Sequence, residues 1–493
     1  MGDDPLEGRG GGSQGKRVAR AEFDIVVIGG GAGGLVVAAG GAALGAKVAL
    51  VEKHKMGGDC LWYGCVPSKT LIASAHVAHA MRHADRWALP AHAPLVELAQ
   101  VMERVAGVIR GIEPNDSPER FRSLGVDVVL GDGRFVAPDA FEVNGRRLTG
   151  KTFVIATGSR PAMLPIPGLV EAGALTNETL FDLREDGPHL IVIGSGPIGS
   201  EMAQAFRRLG SEVSVVDIAP RILPREDADL AEVVHRRMVD EGVRFHFEAS
   251  IAKVEGRRGD LRMTLKGKDG AERVIGATHV LVAAGRKANV EGLGLDAAGV
   301  ALDHGRIVAD DRLRTTNPRI YVVGDVAGGY QFTHVAEHHA GIVLRQAIFK
   351  LFWTKPSTVV PWCTYTDPEL ARVGPSEDEA RKQGIAHRIY RFAFDEIDRA
   401  RAEGETDGFT KLVTDPKGRI LGAAIVGPHA GELIAEVVLA VSKGMKAGDI
   451  SASIHTYPTL ASINRRVADQ RQKEGLTPSS KGWIKRVFGL QGR

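Results

Sequence analysis

The sequence predicts an α/β protein in which two β-α-β units precede a smaller α+β domain, and three observations carry that prediction. A glycine-rich turn flanked by apolar runs occurs twice, and each copy is followed at the same interval by an acid. The last part of the chain changes character, alternating short apolar strands with helical stretches. With 493 residues the chain has room for about three domains of roughly 100–200 residues each.

The first copy is FDIVVIGGGAGGLVVAAGGAALGAKVALVE, with Gly29, Gly31 and Gly34 at GxGxxG spacing and Glu52 closing the next apolar run. The second is HLIVIGSGPIGSEMAQAFRRLGSEVSVVD, with Gly194, Gly196 and Gly199 and then Asp217. In both, the acid stands 18 positions after the last glycine. In each, the first glycine makes the turn, the second lets a pyrophosphate approach the backbone, and the third lets helix pack on strand. The positive N-terminus of the helix then receives the phosphates. Two such units predict two Rossmann-like dinucleotide-binding domains. KTFVIATGSRP and THVLVAAGRKAN form a second matched pair, each an apolar strand running into a glycine turn with Arg160 or Arg286. From about Pro361, RIYRFAFDE, FTKLVTD and ILGAAIVG alternate with GELIAEVVLAVSKG and LASINRRVADQRQK, which predicts the α+β domain.

Composition excludes several classes. A net charge of +3 is too small to argue for nucleic acid, and no apolar run reaches the roughly 18 residues of a membrane span. Three cysteines in so long a chain are no extracellular framework, so a disulfide here is expected to be catalytic and the protein cytoplasmic. Cys363 reads as an idle buried thiol. Residues 1–20, glycine-rich and charged, are expected to form a flexible leader, and residues 471–493 a basic, frayed tail.

The segment GGDCLWYGCVPSKTL carries the chemistry, with Cys60 and Cys65 five positions apart. Five residues of regular helix rise about 7.5 Å, beyond the roughly 7 Å a disulfide spans, so bridging them requires a distorted turn. Gly57, Gly58 and Gly64 permit one. Pro67 suits the first turn of a following helix, which leaves Cys65 at that helix's positive end, where thiolate is favoured. Lys69, one turn further on the same face, would stabilise the same charge.

Together these motifs, with YVVGDVAGGYQFTHVA and WCTYTDPELARVG later in the chain, resemble those of the class I pyridine nucleotide-disulfide oxidoreductases. That is the family of dihydrolipoamide dehydrogenase, glutathione reductase and mercuric reductase, and the likeness runs from about residue 22 to 470. It implies an FAD-binding domain over 21–165 that resumes over 291–358, an NAD(P)-binding domain over 166–290 and a homodimerisation domain over 359–470. It makes Cys65 the thiol beside the flavin and Cys60 the one that meets substrate. Lys69 would pair with Glu201 near the flavin's reactive nitrogen, Asp325 would hold the ribitol chain and Glu52 the adenosine ribose. Thr157, Gly158 and Ser159 would pass close to the flavin, and Lys53, Gly58, Gly133, Gly285, Phe332 and His334 join the cofactor-lining set. Asp217 would accept a ribose 2′-hydroxyl and repel a 2′-phosphate, which favours NADH. Arg221 and Arg225 nearby keep NADPH as the alternative.

The sequence departs from the pattern in IHTYPTLAS. Where dihydrolipoamide dehydrogenase and glutathione reductase carry a catalytic His and, five positions on, a Glu, this chain has Tyr457 and Ser462. A phenol with a reference pKa near 10 is a poor base at neutral pH, so Tyr457 is expected to line an acceptor pocket instead. His455 is the candidate substitute base. Mercuric reductases also place a tyrosine near this point, but this chain lacks their C-terminal cysteine pair and the CxxC leader many of them have. The expectation is a mercuric-reductase-like enzyme passing electrons from NAD(P)H through FAD and the cysteine pair to a small disulfide, a metal ion or a quinone, with no resident metal. A dihydrolipoamide dehydrogenase and a non-catalytic flavin sensor are the alternatives.

Overall fold

The apolar strands of the two glycine-rich units form two parallel sheets built to one plan in the computed structural model, which describes residues 21–492. The expected leader over residues 1–20 lies outside the described residues. In the first sheet, strand Phe23–Ile28 lies between Val48–Glu52 and Arg146–Ile155, and Asp127–Leu130 pairs with the outer side of Val48–Glu52, all in parallel. Strand Ile320–Val322 returns from late in the chain to pair in parallel with Arg146–Ile155. In the second sheet, His189–Ile193 lies between Glu212–Val216 and His279–Val282, and Arg244–His246 pairs outside Glu212–Val216. Both faces of such sheets are covered, which is why Ile25, Val26, Val27, Leu190, Ile191 and Val192 are all buried without alternation.

Each crossover helix begins at its second fingerprint glycine, Ala32–Ala43 after Gly31 and Pro197–Arg208 after Gly196. A Cβ on Gly34 would stand 1.9 Å from the carbonyl oxygen of Gly29, and one on Gly199 would stand 2.0 Å from that of Gly194. Only glycine lets helix and turn approach this closely, so the spacing read from sequence has its steric cause. The second matched pair also finds its reason: strand Arg286–Ala288 pairs antiparallel with Ser159–Pro161, tying the two units together where each leaves its sheet.

The C-terminal domain is a five-stranded antiparallel sheet, from Pro361–Thr364 to Arg388–Ala393, packed on helices Ala430–Lys443 and Ser462–Glu474. Lys411, 3% exposed, pairs with Glu377 of its own domain at 3.1 Å and anchors that domain to the second unit through Asp227 and Asp229 at 3.0 and 2.9 Å. The frayed tail expected after residue 470 is corrected: helix Ser462–Glu474 runs through that position, and Pro478–Phe488 forms another helix. Thr477 accepts the amide of Ser480, Pro478 takes the first turn and Gly489, at φ +62°, closes the end. Among the described residues no helix is long and apolar enough to cross a membrane.

Candidate functional site: a dithiol at a helix N-terminus

The distortion required between the two cysteines is present. Cys60 lies in the short helix Gly58–Trp62 and Cys65 opens helix Cys65–Arg82, with a break at Tyr63 and Gly64. A Cβ on Gly64 would meet the carbonyl oxygen of Asp59 at 2.9 Å, so the break closes only around glycine. Gly57 and Gly58 adopt left-handed conformations, φ +99° and +61°, and a Cβ on Gly58 would stand 2.6 Å from the Cα of Gly31. The glycine turn of the first unit thus touches the start of the cysteine segment, and no side chain intervenes.

Both cysteines are free thiols. Cys65 is pulled from the ordinary 9.0 to about 6, first by the Cys60 thiol donating to it, then by Thr333 and the Lys69 charge, against the opposing effect of burial. Cys60 moves the other way, well above the ordinary range, first because its own proton is held in the hydrogen bond to Cys65 and then because it is buried. The two sulfurs are thus driven apart, Cys65 toward thiolate and Cys60 toward thiol. The hydroxyl of Thr333 stands 3.4 Å from the Cys65 sulfur, at the start of helix Thr333–Ala347. Lys69 Nζ donates to Glu201 Oε2 at 2.8 Å, and Glu201 is only 5% exposed. The other oxygen of Glu201 accepts the amide of Tyr365 at 2.9 Å, and the Tyr365 ring lies 4.4 Å from the Lys69 ammonium. A cavity of about 230 Å³ adjoins this pair, lined by Lys69, Glu201 and Tyr365 together with Ile72, Ala73 and Ala205, and it is below the roughly 300 Å³ at which ligand pockets begin.

The acid at each strand end serves its turn in the same way. Glu52 accepts the amides of Gly30 and His54, each at 2.7 Å, while Asp217 accepts those of Ser195 at 2.6 Å and Ala219 at 2.8 Å. Asp217 also accepts the Ser195 hydroxyl at 2.7 Å. Arg221 is committed to the backbone carbonyls of Leu223, Pro224 and Glu226.

Asp325 accepts the Ser159 hydroxyl at 2.5 Å, and Arg286 donates to that hydroxyl at 2.7 Å while pairing with Asp59 at 3.1 Å. Burial pushes Asp325 up, against the pull of Ser159 and Arg286. Thr157 and Asn289 exchange side-chain to carbonyl bonds at 2.7 and 2.9 Å, and Asn289 also donates its amide to Gly158, which holds φ +67°. Gly285, at φ +111°, accepts the amide of Ala162 beside this junction. Phe332 stacks between Tyr330 and His334, and His334 bonds the carbonyl of Pro361. Lys53 is exposed beside Glu52, and Gly133 is packed so closely under Phe141 that a Cβ would stand 2.4 Å from its ring.

Two expected residues stand apart from this cluster. Tyr457 is 73% exposed and its hydroxyl donates to Asp398 in its own C-terminal domain. His455, the candidate base, has one ring nitrogen against the carbonyl of Ser453 and the other 2.9 Å from Glu436. Both contacts lie within its own C-terminal domain. Two residues not singled out in the sequence, Thr333 and Tyr365, prove to touch the reactive groups. Their only signal was position: Thr333 stands between two expected residues, and Tyr365 lies within the WCTYTD stretch.

Bound cofactors fit this frame. Neither Gly31 nor Gly196 supplies a side-chain cap, so the first amides of both helices are open to an anion. A Cβ on Gly31 would meet only Gly58 at 3.7 Å, and one on Gly196 nothing within 4 Å, which leaves room for a phosphate at each turn. Two dinucleotide turns, with two neighbouring thiols set against the first, define the class as that of α/β proteins that bind two nucleotide cofactors.

The chain belongs to the class I pyridine nucleotide-disulphide oxidoreductases: residues 23–340 match the pyridine nucleotide-disulphide oxidoreductase family and residues 360–467 its dimerisation domain. It is 36% identical over 442 residues to a mercuric reductase of Bacillus cereus, covering 89% of this chain and 70% of that one. It is also 36% identical over 448 residues to a dihydrolipoyl dehydrogenase of Chlamydia trachomatis serovar D, covering 90% and 95%. Among solved structures it resembles the HOCl-induced flavoprotein disulfide reductase RclA from Escherichia coli, with a TM-score of 0.80 and 28% identity over 90% of this chain and 99% of that one. The Cu(II) complex of RclA matches with a TM-score of 0.80 and 27% identity, over 92% and 100%. This is an enzyme family that depends on FAD and uses NAD(P)H, and the dimerisation domain is the part through which its members pair.

Proposed function

We infer that this chain is an NADH-dependent flavoprotein reductase whose Cys60 and Cys65 carry electrons to a thiophilic acceptor rather than from dihydrolipoamide. The observation that carries the reading is the unequal placement of the two sulfurs: Cys65 opens helix Cys65–Arg82 with the Thr333 hydroxyl 3.4 Å away, which favours its thiolate, while Cys60 lies in the preceding short helix and keeps its proton toward Cys65. FAD would be held on the first unit by Gly29, Gly31, Gly34, Glu52, Ser159 and Asp325 and would supply two-electron transfer between nicotinamide and disulfide. When the Cys60 to Cys65 bond breaks it takes up an electron pair and one proton. Cys65 keeps the negative charge against Thr333, Lys69 and the helix N-terminus, and Cys60 keeps the proton. Cys60 is then the thiol free to engage an acceptor, and re-forming the bond releases the same electron pair.

Asp217 supports NADH, because its carboxylate at the strand end suits a ribose 2′-hydroxyl and Arg221 is unavailable to a 2′-phosphate. Dihydrolipoamide is disfavoured because oxidising a dithiol substrate calls for a base, the Tyr457 phenol is bonded to Asp398, and the His455 ring nitrogens are engaged by Ser453 and Glu436. A metal ion needs no such base, since thiolates bind it directly. Relatives named for mercury and a relative held as a Cu(II) complex support that class. With Cu(II), each disulfide formed would release two electrons and reduce two ions to Cu(I). In a homodimer, Tyr457 of one copy would reach the dithiol of the other.

An acceptor panel with NADH, comparing wild type with Cys60→Ser, tests this. Cu(II) and other thiophilic ions should be reduced by the wild type, with dihydrolipoamide-dependent NAD reduction negligible. Cys60→Ser should abolish metal reduction while NADH still bleaches the flavin. Unimpaired metal reduction by Cys60→Ser would discard the thiol route.

A further inference from the structure

Helix Pro478–Phe488 is fully specified by its sequence yet lightly packed, with only Ser480, Ile484 and Lys485 half-buried. Thr477 caps it, Pro478 fills its first turn and Gly489 ends it, but none of its 11 residues is buried. Isolated helices shorter than about 12–15 residues are marginal in water, so a helix with both caps and no packed face is one built to be completed by something else. Its exposed side chains fall on two sides. Trp483 and Val487, and likewise Ile484 and Phe488, are four apart and share one face, with Leu490 continuing it beyond the cap. Trp483 is 63% and Phe488 66% exposed. Lys485 lies across the helix from Trp483 and Val487, Arg486 lies across from Ile484 and Phe488, Lys481 borders the apolar face beside Phe488, and residues 475–493 contain no Asp or Glu.

We propose that this helix is a peripheral membrane anchor that lies on an anionic lipid surface, with Trp483, Val487 and Phe488 in the headgroup boundary and Lys481, Lys485 and Arg486 against lipid phosphates. A tryptophan and a phenylalanine beside three cations, on a helix of modest length with no acid nearby, are the side chains an interfacial helix requires. Charge complementarity selects the occupant: a protein groove would meet the cations with a few fixed carboxylates, whereas an anionic bilayer offers phosphates to all three at once. With no spanning helix among the described residues, the attachment would be reversible and salt-sensitive.

The test is co-sedimentation of the full-length holoenzyme with vesicles of equal parts phosphatidylcholine and phosphatidylglycerol, against vesicles of phosphatidylcholine alone. The protein should pellet with the anionic vesicles at low ionic strength and be released by salt. Replacing Lys481, Lys485 and Arg486 together by Gln should weaken binding on the order of a hundredfold, at roughly fivefold per cation. Trp483→Ser with Phe488→Ser should abolish it, and both variants should keep flavin content and NADH-driven flavin reduction unchanged. Failure of the wild type to pellet, or equal binding by the variants, overturns the proposal. So does a fall in oligomeric state when residues 475–493 are deleted, which would mean that a second copy covers the helix.

Discussion

Removing the Cys60 thiol should return Cys65 to ordinary cysteine behaviour, and the size of the change follows from the site. At pH 7 a thiol titrating at about 6 is about nine-tenths thiolate, whereas one at 9.0 is about one-hundredth, a difference of about ninetyfold. Alkylation rates would hide most of this, because nucleophilicity falls as the thiol becomes more acidic, so thiolate itself must be followed. Cys60 and Cys363 both titrate above the ordinary range, Cys363 because it is buried, so any thiolate forming near pH 6 belongs to Cys65. Ultraviolet thiolate absorbance of the reduced protein, and the long-wavelength thiolate-to-flavin band of the reduced holoenzyme, should share a midpoint near pH 6. Cys60→Ala should move it furthest upward, Thr333→Val less and Lys69→Met least, the order in which these groups lower it. Since the folded value lies below the unfolded one, the stability this thiolate contributes is complete above about pH 9 and is lost as pH falls through about 6. A wild-type midpoint near 9, or one unmoved by Cys60→Ala, would refute the reasoning.

Other consequences are equally direct. Lys69→Met strands the Glu201 carboxylate with only the Tyr365 amide and should destabilise the fold by about 1–3 kcal/mol in urea titrations, less than a wholly buried pair because Lys69 is itself 39% exposed. Adding Glu201→Gln should recover much of that loss. Gly34→Ala should prevent FAD retention, while Gly199→Ala should leave a yellow protein that NADH reduces poorly, since each Cβ collides with its own turn. Asp217→Ala should lower the NADH to NADPH preference in kcat/KM by roughly 10–100-fold, the value of one charge-assisted hydrogen bond of about 1.5–3 kcal/mol.

What could be read from the sequence was whatever is enforced locally. The fingerprint glycines were legible because Gly34 meets Gly29, and Gly199 meets Gly194, within one turn of chain. The break between Cys60 and Cys65 was legible for the same reason, since five residues of regular helix cannot bring two sulfurs together. Thr333 was not legible, because it reaches Cys65 across 268 positions, and no local pattern records such a distance. The tail was misjudged by weighing its composition over its caps: Thr477, Pro478 and Gly489 specify a helix whatever lies between them. The partner of His455 was not legible either, since Glu436, 2.9 Å from its second nitrogen, stands 19 positions earlier on a neighbouring helix.

The central claim is that electrons entering from nicotinamide arrive on Cys60 and Cys65. Anaerobic titration of the oxidised holoenzyme with NADH, quenched with an alkylating agent and mapped by mass spectrometry, tests it most directly. The account predicts that both cysteines become alkylatable in step with NADH consumed, while Cys363 stays unchanged until the protein is unfolded. Flavin bleaching with no gain of label at Cys60 or Cys65 would contradict it.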